Sequence, residues 1–167
     1  LDLLNNLTFV GHYTSEHGYG SDNDDVIYGL GGLDRLYGRD GNDIIYGGDE
    51  SNSLYGGDEL YGGGGNDILY GGADEDELYG DDGDDTLHGG ADDDIIYGGY
   101  GEDTVVVSGD FSEYTLTLRD TYYELSAVSG SEGTDELYNV EYIQFADQLY
   151  TLPNILPVAA DDAFIGD

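Results

Sequence analysis

The sequence has no cysteine, methionine or tryptophan, and only two of its 167 residues are proline. Without cysteine the chain can form neither disulfides nor thiolate metal sites. Basic residues are almost as scarce, because 3 arginines stand against 38 acidic residues and give a formal net charge of -35. This charge repels nucleic acid and anionic membrane surfaces, so we expect neither as a partner. No apolar run approaches the roughly 20 residues of a membrane span.

What the chain does have is a repeat. It is 38% hydrophobic and contains 29 glycines and 17 tyrosines. From Gly20 to Val106 it divides into nine nonapeptides and one hexapeptide, 56–61. Position six is Asp, except for Asn52, position eight is aliphatic, and position nine is usually Tyr. A solvated Gly/Asp-rich linker does not need aliphatic residues in register, so the pattern indicates a folded repeat protein.

Each repeat reads as a three-residue strand followed by a glycine-rich turn. Alternation along the strand sends position eight to one face and positions seven and nine to the other. One buried Leu or Ile per repeat contributes roughly 1.5–3 kcal/mol, whereas ordering each residue costs about 1–2 kcal/mol. Stacked Asp carboxylates about 4.8 Å apart also repel one another. The repeat therefore requires a cation, and calcium, which takes 6–8 oxygen ligands, suits carboxylates beside exposed carbonyl groups.

The units resemble the nonapeptide G-G-x-G-x-D-x-U-x of the RTX (hemolysin-type) calcium-binding family. The resemblance implies an all-β protein, a right-handed parallel β-roll (a β-solenoid with two nonapeptides per coil) closed by a small antiparallel β cap. It also implies several structural Ca2+ ions. Each ion would lie between two turns on the same side of the roll, bound by their Asp side chains and by backbone carbonyl groups.

Carried onto this chain, the resemblance assigns one ion to each of four Asp pairs. The pairs are Asp25 with Asp43, Asp76 with Asp94, Asp67 with Asp85, and Asp85 with Asp103. Asn52 would form weaker pairs with Asp34 and Asp67. The carbonyl ligands in the same order are Ser21, Asn23, Gly38 and Asp40; Gly72, Asp74, Gly89 and Ala91; Gly63, Gly65, Gly80 and Asp82; and Asp81, Gly83, Gly98 and Tyr100.

The hexapeptide 56–61 leaves two interpretations open. As a shortened half-coil it would lack carbonyl ligands, so the sites around Asp58 would be incomplete or empty. As a bulge it would move every later repeat to the opposite edge of the roll. The first interpretation predicts two outer tyrosine ladders, Tyr28, Tyr46, Tyr61, Tyr79 and Tyr97 on one face and Tyr37, Tyr55 and Tyr70 on the other.

Four segments are predicted. Residues 1–19 form degenerate coils that cap the roll, and residues 20–106 form the roll. Residues 107–152 alternate apolar and polar residues between turn signals, as antiparallel strands do, and resemble the segments that close RTX rolls. Their core candidates are Tyr114, Leu116, Leu118, Leu137, Val140, Ile143 and Phe145. Residues 153–167 resemble the lead-in to another module, so we expect a linker within a longer chain.

We expect no active site. The histidines, His12, His17 and His88, form no zinc-protease motif and are expected at the surface, and neither a nucleophile motif nor a phosphate loop is present. The leading hypothesis is a calcium-binding module of a large bacterial protein exported by type I secretion, disordered without Ca2+ and folded outside the cell beside other extracellular modules. The alternative is a recognition module whose tyrosine ladders bind a polysaccharide or a cell surface. An enzymatic role belongs, if anywhere, to the parent chain.

Overall fold

The structure, a computed structural model, describes residues 8–12, 15–48 and 57–153. These residues form two eight-stranded sheets and a short 3-10 helix, Phe111–Glu113. Within them, no helix is long and apolar enough to cross a membrane. The strands up to the end of the repeats are β1 Thr8–Val10, β2 His17–Tyr19, β3 Val26–Leu30, β4 Arg35–Asp40, β5 Ile44–Gly48, β6 Glu59–Gly64, β7 Ile68–Gly72, β8 Glu77–Asp82, β9 Thr86–Gly90, β10 Ile95–Tyr100 and β11 Thr104–Val106. The later strands are β12 Tyr114–Leu118, β13 Tyr123–Ala127, β14 Thr134–Tyr138, β15 Tyr142–Gln144 and β16 Leu149–Thr151.

Consecutive repeats lie in opposite sheets. One sheet has the order β1-β3-β5-β7-β9-β11-β15-β16, and the other has the order β12-β13-β14-β10-β8-β6-β4-β2. From β1 to β11, all neighbouring strands within a sheet are parallel. Two repeats therefore complete one coil of a parallel β-roll, as predicted. Strands β1 and β2 add one coil before residue 20.

The core of the roll is a single layer of position-eight side chains. Successive side chains of a strand point to opposite faces, so position eight points inward while positions seven and nine point outward. The members from β3 to β10 are completely buried and Val105 is 1% exposed. The fully buried members are Ile27, Leu36, Ile45, Leu60, Leu69, Leu78, Leu87 and Ile96. This thin core agrees with the predicted inward face.

The repeat array contains six additional residues between Gly48 and Gly57. Strand β6 pairs with β4 so that Leu60 lies beside Leu36, and β7 pairs with β5 so that Leu69 lies beside Ile45. A half-coil at 56–61 that follows 47–55 would place β6 on β5, so that interpretation is wrong, because β6 pairs with β4. A bulge made of residues 56–61 is also wrong, because β6 is part of the roll. The second interpretation is nevertheless right that later repeats change edges. Asn52 and Tyr55 lie outside the described residues.

The segment after the roll extends both sheets. Strands β14 and β15 pair in parallel with β10 and β11, whereas β12, β13 and β16 form antiparallel pairs. Leu137, Val140, Ile143 and Phe145 are buried, and Tyr114 and Leu116 pack against this core. Leu118 is 56% exposed, so its core assignment is wrong, because β12 is the edge strand of its sheet.

Candidate metal centre

Each edge of the roll carries a column of buried carboxylates. We call Asp25, Asp43, Asp67, Asp85 and Asp103 the first Asp column, and Asp34, Asp58, Asp76, Asp94 and Asp135 the second Asp column. Every one of these residues is at most 5% exposed. Carboxylates are almost never buried to this extent unless they are paired. Each column therefore requires partners for its carboxylate oxygens.

The backbone supplies one partner. The N–H of Asp67 donates to Oδ1 of Asp85 at 2.8 Å, and the N–H of Asp85 donates to Oδ1 of Asp103 at 2.9 Å. The same bond joins successive members along both columns at 2.7 to 3.2 Å. These bonds fix the orientation of each carboxylate and leave its second oxygen for another partner.

The second oxygen is orphaned at most positions. Oδ1 of Asp25 and Oδ2 of the following residues are buried without a hydrogen-bond partner: Asp43, Asp67, Asp76, Asp85, Asp94 and Asp103. An unsatisfied buried polar atom costs about 1–3 kcal/mol, and more when it is charged. Burial accordingly raises the pKa of Asp67 to about 7 and the pKa of Asp76 to about 9. Without a cation, burial at the edges of the roll makes the charged form of these carboxylates unfavourable.

Carbonyl groups face the same orphaned oxygens. A Cβ atom built on Gly62 would lie 2.4 Å from Oδ2 of Asp67 and 2.7 Å from the carbonyl oxygen of Gly80. A Cβ built on Gly80 would lie 2.3 Å from Oδ2 of Asp85 and 2.4 Å from the carbonyl oxygen of Gly98. Only glycine leaves this space open. An oxygen-only environment with an anionic member fits a hard cation such as calcium.

The turns also require glycine where adjacent coils approach closely. Positions two and four of the turn 62–67 are Gly63, with φ of 110°, and Gly65, with φ of 132°. A Cβ on Gly65 would lie 1.9 Å from the carbonyl oxygen of Gly41. Positive φ is unfavourable for residues with a side chain. The turn is therefore specified by its glycines as much as by its aspartates.

Backbone oxygens must complete any site in these turns. Among the described residues, no three His, Cys, Asp or Glu side chains come together as a metal-binding group. Two stacked turns offer two carboxylates, so the remaining oxygens of a six- to eight-coordinate ion would come from carbonyl groups and water. The predicted carbonyl ligands remain predictions.

The structure brings the four predicted Asp pairs together. Successive members of the first column include Asp25 with Asp43, and the pairs that join Asp67, Asp85 and Asp103. The second column contains the predicted pair of Asp76 with Asp94.

The predicted pairs through Asn52 are wrong. The N–H of Asp34 donates to Asp58 at 2.7 Å, and the N–H of Asp43 donates to Asp67 at 2.7 Å. The bond from Asp34 to Asp58 spans 24 residues rather than 18, so the six additional residues between Gly48 and Gly57 bring Asp58 into register with Asp34. Asp58 thus occupies the position that the sequence interpretation gave to Asn52.

Sequence reasoning also missed three acidic residues on the second edge of the roll. Asp58 was assigned to an incomplete turn, yet a Cβ on Gly47 would lie 2.4 Å from its Oδ2 and 2.6 Å from the carbonyl oxygen of Gly71. Glu16 lies one turn before the second Asp column, because its N–H donates to Oδ1 of Asp34 at 2.8 Å. Asp135 ends that column. A search for isolated Gly-x-x-Gly-x-Asp units outside 20–106 would have found Asp135.

Position-nine rings stack in two ladders outside the roll. The first is Tyr28, Tyr46, Tyr70 and His88, and the second is Tyr19, Tyr37, Tyr61, Tyr79, Tyr97 and Tyr138. Ring centroids are 4.3 to 5.0 Å apart. The predicted ladder membership is wrong after Gly48, because the later repeats lie on the other edge.

Known proteins share the repeat. The model of the RTX calcium-binding nonapeptide repeat (4 copies) matches residues 19–54, 54–87 and 79–110, more than half of the chain. The solution structure of the AlgE6R3 subunit from the Azotobacter vinelandii mannuronan C5-epimerase is similar at 23% identity, over 95% of this chain and 86% of that one, with a TM-score of 0.37. No curated protein matches. On the family match, the chain belongs to the RTX calcium-binding nonapeptide-repeat family.

Proposed function

We propose that this chain is a structural calcium-binding module of a secreted protein, and that it is disordered without Ca2+ and folds as the ions bind. The observation that carries the proposal is the buried second carboxylate oxygen that has no hydrogen-bond partner at most positions of the columns, for example Oδ2 of Asp67 and of Asp85. A calcium ion between successive turns supplies the missing partner and cancels the repulsion between stacked carboxylates. We assign the module no catalytic role.

The balance of forces explains why folding depends on the ions. Like charges one coil apart, about 4.8 Å, repel by about 0.9 kcal/mol in water and several times more near a protein surface. An ion that binds only the folded form stabilises it by RT ln(1 + [L]/Kd) at each site. Because Asp85 contacts both Asp67 and Asp103 through hydrogen bonds, adjacent sites share a ligand. Binding at one site therefore orients a ligand of the next.

Calcium-dependent folding is compatible with export of the chain before it folds. The net charge of -35 keeps an ion-free chain expanded, which is compatible with passage through a narrow type I channel. Free calcium is low inside the cell and high outside it. The module would then fold after export, beside other extracellular modules of the parent protein.

A calcium titration followed by far-UV circular dichroism tests the proposal, with magnesium as the control cation. We expect β structure to appear cooperatively with calcium and not with magnesium at the same concentrations, because Mg2+ demands near-ideal octahedral geometry and gives up water reluctantly. A roll fully formed in the presence of a chelator, or an equal response to magnesium, would overturn the proposal.

A second candidate function, polysaccharide binding, rests on the first tyrosine ladder. A groove of about 500 Å³ runs along it and is lined by Tyr28, Tyr46, Tyr70 and the glycines beside them. Because Tyr28, Tyr46 and Tyr70 stack face to face, they offer ring edges and phenolic hydroxyl groups, which suit hydrogen bonding to sugar hydroxyl groups. The acidic surface favours an uncharged polysaccharide. Co-sedimentation with such a polysaccharide should weaken in Tyr46→Ser and persist in Tyr61→Ser, which alters the opposite ladder. Equal binding by both variants would exclude the groove.

A further inference from the structure

An isolated nonapeptide lies at the end of the second Asp column. Residues 130–138 read GSEGTDELY, with glycine at positions one and four, Asp135 at position six and Leu137 at position eight. They lie outside residues 19–110, which the family model matches. Strands β12 and β13 separate them from the repeat array, so the periodic pattern does not reach them.

This segment continues the roll in register. Strand β14 is parallel to β10, with Leu137 beside Ile96. Gly133 has φ of 52°, and a Cβ on it would lie 2.3 Å from the carbonyl oxygen of Asp92, so position four lies over position four as in the repeat turns. The N–H of Asp92 donates to the carbonyl oxygen of Ser131 at 2.7 Å. The turn 130–135 is therefore stacked on the turn 89–94.

The two carboxylates share the burial and the backbone hydrogen bond of the other pairs. The N–H of Asp94 donates to Oδ1 of Asp135 at 3.2 Å. Asp94 is 1% exposed and Asp135 is 5% exposed, and Oδ2 of Asp94 is buried without a partner. A cavity of about 290 Å³ beside Asp135 is lined by Gly89, Gly90 and Glu132 and, on its apolar side, by Val105, Val106 and Val107.

We propose that Asp94 and Asp135 bind a further calcium ion, which joins the turn 89–94 of the roll to the segment that closes the roll. The inference rests on the proposed function, because it requires that the repeat turns bind calcium. The two residues are 41 positions apart, and closing so long a segment has an entropic cost. The bound ion offsets this cost. Docking of β12, β13 and β14 onto the roll is therefore coupled to calcium at this one site.

The Asp135→Asn variant tests the inference in the full chain. It keeps Oδ1 as the acceptor for Asp94 and removes the charge. We expect the number of bound calcium ions, counted by native mass spectrometry, to fall by one. We also expect amide hydrogen exchange in β13 and β14 to accelerate at least about tenfold, while exchange in β3 to β7 stays unchanged.

Two further variants sharpen the test. Asp120→Asn removes an exposed carboxylate from the turn between β12 and β13, and should change neither the ion count nor exchange. Asp94→Asn should remove two ions, because Asp94 is also the neighbour of Asp76.

The outcomes separate the inference from the proposed function. A wild-type ion count in Asp135→Asn, or one ion fewer with unchanged exchange in β13 and β14, would overturn the inference alone. A wild type that binds no calcium would overturn the proposed function. If Asp135→Asn does not fold, Asp135→Glu should restore both the fold and the ion count, and failure of both variants to fold would contradict the inference by showing a purely structural requirement for Asp.

Discussion

The backbone N–H of Asp34 donates to the carboxylate of Asp58 at 2.7 Å across 24 residues of sequence. The corresponding bond between Asp67 and Asp85 spans 18 residues, the length of two nonapeptides. The difference of six residues lies between Gly48 and Gly57, and it decides which carboxylates stack. Without residues 50–55 the sequence reads GGDGGDELY, a complete nonapeptide with Asp58 at position six.

Deletion of residues 50–55 should therefore preserve calcium-dependent folding. We expect the calcium midpoint, measured by circular dichroism, to change by no more than about threefold, because each doubling of loop length costs only about 0.6 kcal/mol. Deletion of residues 74–79 is the control of equal length. It removes Asp76 and Leu78, both buried, and should abolish the transition. Loss of folding in the first variant would show that residues 50–55 belong to the coil period.

Asp58→Asn should be as damaging as Asp85→Asn. Asp58 lies between Asp34 and Asp76 in the second column, so its carboxylate serves two turns. Weakening two sites should raise the calcium midpoint at least about tenfold, which corresponds to about 1.4 kcal/mol. Asp22→Asn, which alters an exposed carboxylate in a repeat turn, is the matched control. A wild-type midpoint in Asp58→Asn would restore the interpretation of an incomplete turn.

The inward face and the four strong Asp pairs were predictable, because both depend on local periodicity. Ile27 and Leu36 are buried because the side chain at position eight points to the opposite face from the side chains at positions seven and nine. Residues 47–61 were not predictable in the same way. Both Asn52-Ser53-Leu54-Tyr55 and Asp58-Glu59-Leu60-Tyr61 fit the local pattern, and the choice between them depends on pairing with distant strands.

The closing segment was predicted for a different reason, and in part incorrectly. Its alternating residues indicate strands, but alternation does not determine strand direction. Leu137 belongs to a strand parallel to β10, since Gly133 and Asp135 repeat the turn chemistry of the roll. Leu118 has the same apolar character and lies on the edge strand, where nothing covers it.

Acid should favour the roll in the absence of calcium. Burial raises the pKa of Asp85 to about 6, of Asp103 to about 7 and of Asp76 to about 9, from 3.8. The folded-state pKa values exceed those of the unfolded chain, so this stabilisation is complete below about pH 3.8 and is lost as pH rises through about 6 to 9.

Calcium binding should show the opposite dependence on pH. The ligands must be deprotonated and binding releases protons. The calcium concentration at the folding midpoint should therefore decrease as the pH rises from about 5 to about 9. Circular dichroism titrations across this range measure it. A midpoint independent of pH would contradict the assignment of the buried carboxylates as ligands.

The second tyrosine ladder should stabilise the calcium-bound roll. Tyr79 stacks between Tyr61, at 4.6 Å, and Tyr97, at 4.8 Å. Each contact is worth about 0.5–1.5 kcal/mol, so Tyr79→Ser should lower the free energy of unfolding by about 1–3 kcal/mol in urea denaturation at saturating calcium. Tyr79→Phe keeps both stacking contacts and should lower the free energy of unfolding far less, although it removes the hydroxyl group that donates to Glu77. Equal losses would mean that stacking contributes nothing.

The position of the ions is tested most directly by anomalous diffraction from crystals grown with calcium. We expect calcium peaks between successive members of both Asp columns, beginning with Asp67 and Asp85, whose Oδ2 atoms are buried without a hydrogen-bond partner. An ordered roll whose stacked turns show no anomalous peaks would contradict the requirement for ions between the coils.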